Sequence, residues 1–77
     1  MIFVKIKVKL FATFREGRFA LETMEIPDCA TVLDVANKLQ IKPDDISIAM
    51  INGISSELDD VLKEGDTLVL FPPVGGG

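Results

Sequence analysis

The side chains of this sequence are poorly equipped for catalysis. There is no histidine, tyrosine or tryptophan, so the commonest general base near pH 7 and the commonest metal ligand are both missing. The single cysteine, Cys29, can form neither an internal disulfide nor a zinc site. Asp44-Asp45 and Asp59-Asp60 resemble paired carboxylates, but both lie in turn-like stretches without partners, where aspartate serves turn geometry. Nothing spells a phosphate loop or a dinucleotide fingerprint. No catalytic side chain and no metal ligand is therefore assigned. The remaining chemical feature is the string Phe71-Pro72-Pro73-Val74-Gly75-Gly76-Gly77. It is either a frayed end or the working part.

Composition narrows the classes. Seventy-seven residues make one domain, and a core of that size supplies only roughly 3–5 kcal/mol without staples. A net charge of −4 argues against a nucleic-acid binder, whose affinity comes from Lys and Arg neutralising phosphates. The opening "MIFVKIKVKLF" alternates charge with apolar residues. It fits neither a secretory signal nor a membrane span. A cytoplasmic protein without nucleic-acid or membrane partners is expected, and a lone cysteine suits a reducing compartment.

The elements that must carry the tail follow from periodicity. Ile2, Val4, Ile6, Val8 and Leu10 alternate with Phe3, Lys5, Lys7, Lys9 and Phe11, the period-two pattern of a strand with one wet face. The lysines read as a solvated face that also discourages edge pairing, with a partner contact as the alternative. "ATFREG" turns the chain, with Gly17 as the left-handed position; Arg15 and Glu16 read as loop charges, with a contact to a partner enzyme as the alternative. A second strand spans 19–26. Its phase changes between Leu21 and Met24, which a bulge would explain. Pro27 ends it. Thr31 is a good N-cap, with Asp34 in the first turn. Val32, Val35, Ala36 and Leu39 form one helical stripe, and Pro43 stops a helix of about ten residues. Strands follow at 46–51 and from Ile54, joined by Asn52-Gly53, the signature of a type I′ hairpin. One helical turn is expected at 59–62. Thr67 to Phe71 is apolar on both faces, as in a central strand with an outer side to cover. The order β-β-α-β-β-β makes an α+β roll.

The spelling resembles a known family. "LFATFRE", "ATVLDV", "INGI", "LKEGDTLVLFPPV" and a terminal "GG" together resemble the MoaD/ThiS family of ubiquitin-like sulfur carriers, and within it the small subunit of molybdopterin synthase. Gly75 departs from the family pattern, which usually has another small residue before the final pair. The resemblance implies a ubiquitin-like β-grasp roll over residues 1–74, a mixed sheet of four to five strands on one helix, followed by a flexible glycine tail at 75–77. It implies a carrier with no bound cofactor. A ubiquitin-activator-like adenylating enzyme would use ATP to adenylate the Gly77 carboxylate, and sulfur would replace AMP to leave a thiocarboxylate. The acceptor would be a pterin precursor on the molybdopterin synthase large subunit, the two subunits forming a heterotetramer. Thiazole formation, protein modification through Gly77, and an interaction module with an idle tail are the alternatives.

The tail suits that chemistry. A terminal carboxylate, with a pKa of about 3.3–3.7, is ionised and unreactive at pH 7. Activation must come from a partner, into whose active site Gly75, Gly76 and Gly77 would thread without side chains to obstruct them. Pro72 and Pro73 end strand pairing and stiffen the exit. In a β-grasp the first and last strands are adjacent and parallel, so Phe11, Val69 and Phe71 would share the outer face near the exit. With Pro72, Pro73 and Val74 they are the expected partner-docking surface. Cys29 reads as a small hydrophobe before a helix cap, not as a sulfur relay.

Overall fold

The computed structural model describes residues 2–73; the domain and tail assignments at Val74, Gly75, Gly76 and Gly77 lie outside them. Five strands form one mixed sheet: β1 (Phe3–Leu10), β2 (Leu21–Pro27), β3 (Ile48–Ile51), β4 (Ile54–Ser56) and β5 (Thr67–Phe71), with one helix, α1 (Val32–Lys38). The sheet order is β2-β1-β5-β3-β4. β1 and β5 are parallel and every other pairing is antiparallel. This is the β-grasp arrangement, and it places β5 in the centre.

Alternation along β1 sorts the chain into core and wet faces. Val4, Ile6, Val8 and Leu10 are buried, whereas Phe3, Lys5, Lys7 and Lys9 are exposed. Leu68 and Leu70 of β5 join them beneath Val32, Val35 and Ala36 of the helix. Each fully buried aliphatic side chain contributes about 1.5–3 kcal/mol. Ile2 departs from the expected pattern. It precedes β1 and is 71% exposed. β1 also lies inside the sheet, so its lysines guard no edge.

The expected bulge in the second strand is absent. β2 pairs with β1 in unbroken register from Pro27 opposite Phe3 to Leu21 opposite Lys9. The change of phase arises because Phe19 lies before the strand and packs on the core from the loop. β2 is an edge strand, so Pro27 is tolerated within it. Before it, Ala12–Arg15 forms a 3₁₀ turn that buries Phe14, and Gly17 takes a φ of 71°.

The helix has a full capping box: Thr31 Oγ1 accepts from the Asp34 N–H, and an Asp34 carboxylate oxygen accepts from the Thr31 N–H. It is shorter than the proline alone required. Gln40 turns left-handed, φ 61°, and the Ile41 and Gln40 N–H groups donate to the Ala36 and Asn37 carbonyls. That is a Schellman cap with glutamine where glycine is usual. Pro43–Asp45 then makes a 3₁₀ turn. Asn52 and Gly53 adopt φ of 55° and 82°, as the hairpin signature requires. No helical turn forms at 59–62. Instead Asp60 Oδ2 accepts from the Glu57 N–H, Val61 bridges Thr31, and Leu62 is buried.

Candidate functional site

The root of the tail is built at one end of β5. Because β5 is central, both its faces are covered at least in part: Leu68 and Leu70 are fully buried, and Thr67, Val69 and Phe71 half-buried on the outer side. Parallel pairing sets Lys7 beside Thr67 and Lys9 beside Val69. Antiparallel pairing sets Met50 beside Val69 and Ile48 beside Phe71. One residue beyond Leu10, Phe11 reaches the same end. Its ring stacks on Phe71, with centroids 4.5 Å apart and planes 12° from parallel. Such a pair contributes about 0.5–1.5 kcal/mol beyond area burial.

Arg15 extends the stack. Its guanidinium carbon lies 5.0 Å from the Phe11 ring centroid, and its Nε donates to the Leu10 carbonyl at 2.7 Å. The 3₁₀ turn at Ala12–Arg15 brings it there. The Phe71 carbonyl accepts from the Ser47 N–H at 2.8 Å. Thus the residue preceding Pro72 is held through its ring and its main chain. Pro72 is half-buried and Pro73 exposed; neither can donate to a neighbouring strand.

Phe11, Val69, Phe71, Pro72 and Pro73 are therefore gathered on one face or at its rim, as alternation and β1–β5 adjacency imply. The remaining tail positions, Val74, Gly75, Gly76 and Gly77, lie outside the described residues. Sequence reasoning missed Ile48, which is 49% exposed, and half-buried Met50. Their i, i+2 spacing carried the signal. It had no meaning until β3 was known to flank β5.

Cys29 is exposed, not buried, at a φ of 70°. Its neighbour Asp28 donates through its N–H to the Ile2 carbonyl, which places this turn at the start of β1, the opposite end from Phe11. β1 has eight residues, and a strand rises roughly 3.3 Å per residue. A direct sulfur handoff from Cys29 to the tail root has no support in that geometry. An open groove of about 310 Å³ lies beside the β3–β4 hairpin and includes Asn52, Lys63 and Asp66. It too is remote from Phe71, and the side chains of Asn52 and Asp66 in it serve the fold. Asn52 Nδ2 donates to Asp66 Oδ1, Asn52 Oδ1 accepts from the Thr67 N–H, and Asp66 Oδ2 accepts from the Lys63 N–H. Among the described residues no group of three or more His, Cys, Asp or Glu could hold a metal, and no helix is long and apolar enough to cross a membrane.

Comparison with known proteins adds sequence context to this geometry. The family model described as the ThiS family matches residues 8–77. No curated protein matches. Among solved structures, a Pyrococcus furiosus protein described as molybdopterin converting factor, subunit 1, is 33% identical. The match covers 92% of this chain and 99% of that one, with a TM-score of 0.74. Small archaeal modifier protein 1 of Haloferax volcanii is 27% identical over 92% of this chain and 99% of that one, also with a TM-score of 0.74. A chain from the complex of subunits 1 and 2 of the Helicobacter pylori molybdopterin-converting factor is 25% identical, covering 96% of this chain and 100% of that one, with a TM-score of 0.59.

Proposed function

The chain belongs to the ThiS family, and from that premise we propose that it carries sulfur as a thiocarboxylate on Gly77 for molybdopterin synthesis, as the small, non-catalytic subunit of a molybdopterin synthase. The observation that carries this reading is the family match running through the tail, on a scaffold whose central strand ends at a residue held by ring and carbonyl. The Gly77 carboxylate attacks the α-phosphate of ATP on an adenylating partner, releasing pyrophosphate. The terminal sulfur of a partner's persulfide attacks the acyl-adenylate and expels AMP. A second thiol cleaves the resulting acyl disulfide, forming a disulfide with the donor and releasing the thiocarboxylate. On the large subunit that sulfur passes to a pterin precursor while water returns Gly77 to the carboxylate. Phe11, Val69, Phe71, Pro72, Pro73 and Val74 dock both partners. Gly75, Gly76 and Gly77 enter their active sites, where ordering costs roughly 1–2 kcal/mol per residue and main-chain hydrogen bonds offset it. The likeness to one chain of a two-subunit converting factor supports the large-subunit partner, and the likeness to the Pyrococcus protein supports the pterin branch over thiazole formation.

The likeness to an archaeal modifier protein favours one second reading, in which Gly77 is joined to a target lysine. Intact mass spectrometry separates the two. With the adenylating enzyme, ATP and a sulfur donor, the carrier gains one sulfur in place of one oxygen, on a fragment ending at Gly77. An unchanged mass refutes the carrier. Covalent adducts in cells that vanish when Gly77 is deleted establish the modifier.

A further inference from the structure

The three lysines of β1 are not explained by the fold. They lie at i, i+2 spacing on one face, with successive lysines roughly 6.6 Å apart along the strand, inside the Debye length of about 8 Å at physiological salt. They repel one another. Edge protection, the usual use of such lysines, does not apply, because β1 is flanked by β2 and β5. Cross-strand compensation is slight. Lys5 faces Glu25, but Lys7 faces Thr23 and Thr67, and Lys9 faces Leu21 and Val69. Arg15 adds a fourth cation beside Phe11, with only its Nε engaged by the described residues.

Charge is thus sorted by face. Four of the eight Lys and Arg residues lie on the outer face or its rim, on a chain whose net charge is −4. Among the described strand positions, Glu25 is the acid on that face. The outward residues of β3 and β5 are Ile48, Met50, Thr67, Val69 and Phe71. The result is an apolar patch bordered by cations on an otherwise acidic body.

We propose that the protein partner docking on this face presents an apolar recess rimmed by carboxylates, which Lys7, Lys9 and Arg15 meet. The inference rests on the carrier reading for the partner's identity, but its content is the partner's surface chemistry. Complementary charges at a rim act chiefly on the rate of encounter and its salt dependence, and such steering raises on-rates by factors of about 10 to 1,000. The acidic remainder of the chain repels the same carboxylate-rimmed surface, so docking by any other face is disfavoured.

The test measures association of the full-length protein with the cognate adenylating enzyme by stopped flow, at low and high salt (about 50 and 300 mM NaCl). Three proteins are compared: wild type, Lys7→Glu/Lys9→Glu, and Lys42→Glu/Lys63→Glu, whose net charge changes equally away from the face. The expected result is a wild-type on-rate that falls with salt. It drops about ten-fold in Lys7→Glu/Lys9→Glu at low salt and is little changed in the control. Equal on-rates in the two variants overturn the proposal. So does loss, in Lys7→Glu/Lys9→Glu, of binding to a single-stranded oligoribonucleotide or phosphatidylserine vesicles while enzyme binding is kept, which assigns the face to a polyanion. Sulfur gain by mass in the same samples keeps the readings apart. Salt-steered binding without sulfur gain sinks only the carrier reading; sulfur gain without steering sinks only this one.

Discussion

The Phe11–Phe71 stack allows one measurement to test fold and docking together. Phe→Ala in a core costs about 3–5 kcal/mol. Phe71 is half-buried on the outer face, so roughly half of that applies, about 2 kcal/mol, including the stacking term with Phe11 at 4.5 Å. For a domain of this size a loss of 2 kcal/mol lowers Tm by about 8–16 °C. Phe11→Ala loses the same stack and also the ring beneath the Arg15 guanidinium. In a double-mutant cycle by urea unfolding, the coupling between the two positions is expected to be about 0.5–1.5 kcal/mol. The second readout is affinity for the adenylating enzyme, taken where each variant remains folded. Phe71→Ala is expected to weaken binding at least ten-fold, about 1.4 kcal/mol, since aromatic anchors dominate such interfaces. A coupling near zero refutes the energetic role of the stack. A folded Phe71→Ala that binds like wild type refutes Phe71 as a docking anchor.

Three further outcomes are expected. Asn52→Gly keeps the positive φ but removes the side-chain bonds to Asp66 and the Thr67 N–H, at a cost of about 1–2 kcal/mol in chemical denaturation; Asn52→Ala costs roughly 1 kcal/mol more, because alanine strains at φ 55°. Gln40→Gly is expected to stabilise the protein by about 0.5–1 kcal/mol, since glycine takes the left-handed helix cap without strain, and an unchanged or lower midpoint counts against that cap. Cys29→Ser, exposed and at the far end of β1, is expected to gain sulfur at the wild-type yield by intact mass; loss of the label would make Cys29 part of the relay.

Some of the candidate site was legible before any fold was known, and some was not. The outward phase of Lys5, Lys7, Lys9 and Phe11 was readable because alternation is a property of one strand's backbone. Alternation fails at the start of the second strand for the same reason: Phe19 fits the period but lies in the loop and packs inward from there. Gln40 escaped notice because a left-handed cap is normally announced by glycine. Residue type favours burial of a free cysteine, yet a turn anchored to Ile2 leaves Cys29 in solvent.

By itself, the sequence determined what local geometry dictates: strand faces, the Thr31 cap, the Asn52-Gly53 turn, and a tail with neither donors at Pro72 and Pro73 nor side chains at its glycines. Tertiary structure alone decided what depends on which strands adjoin and in what register. Pairing β1 with β5 in parallel brings Phe11 onto Phe71 across sixty residues of chain. Pairing β3 with β5 adds Ile48 and Met50 to the patch. Placing β1 inside the sheet removes any edge role from its lysines and sets Lys7 and Lys9 beside Thr67 and Val69 of β5. Period and turn type are short-range properties written in neighbouring residues. Register is a long-range property, set by the burial of a whole core.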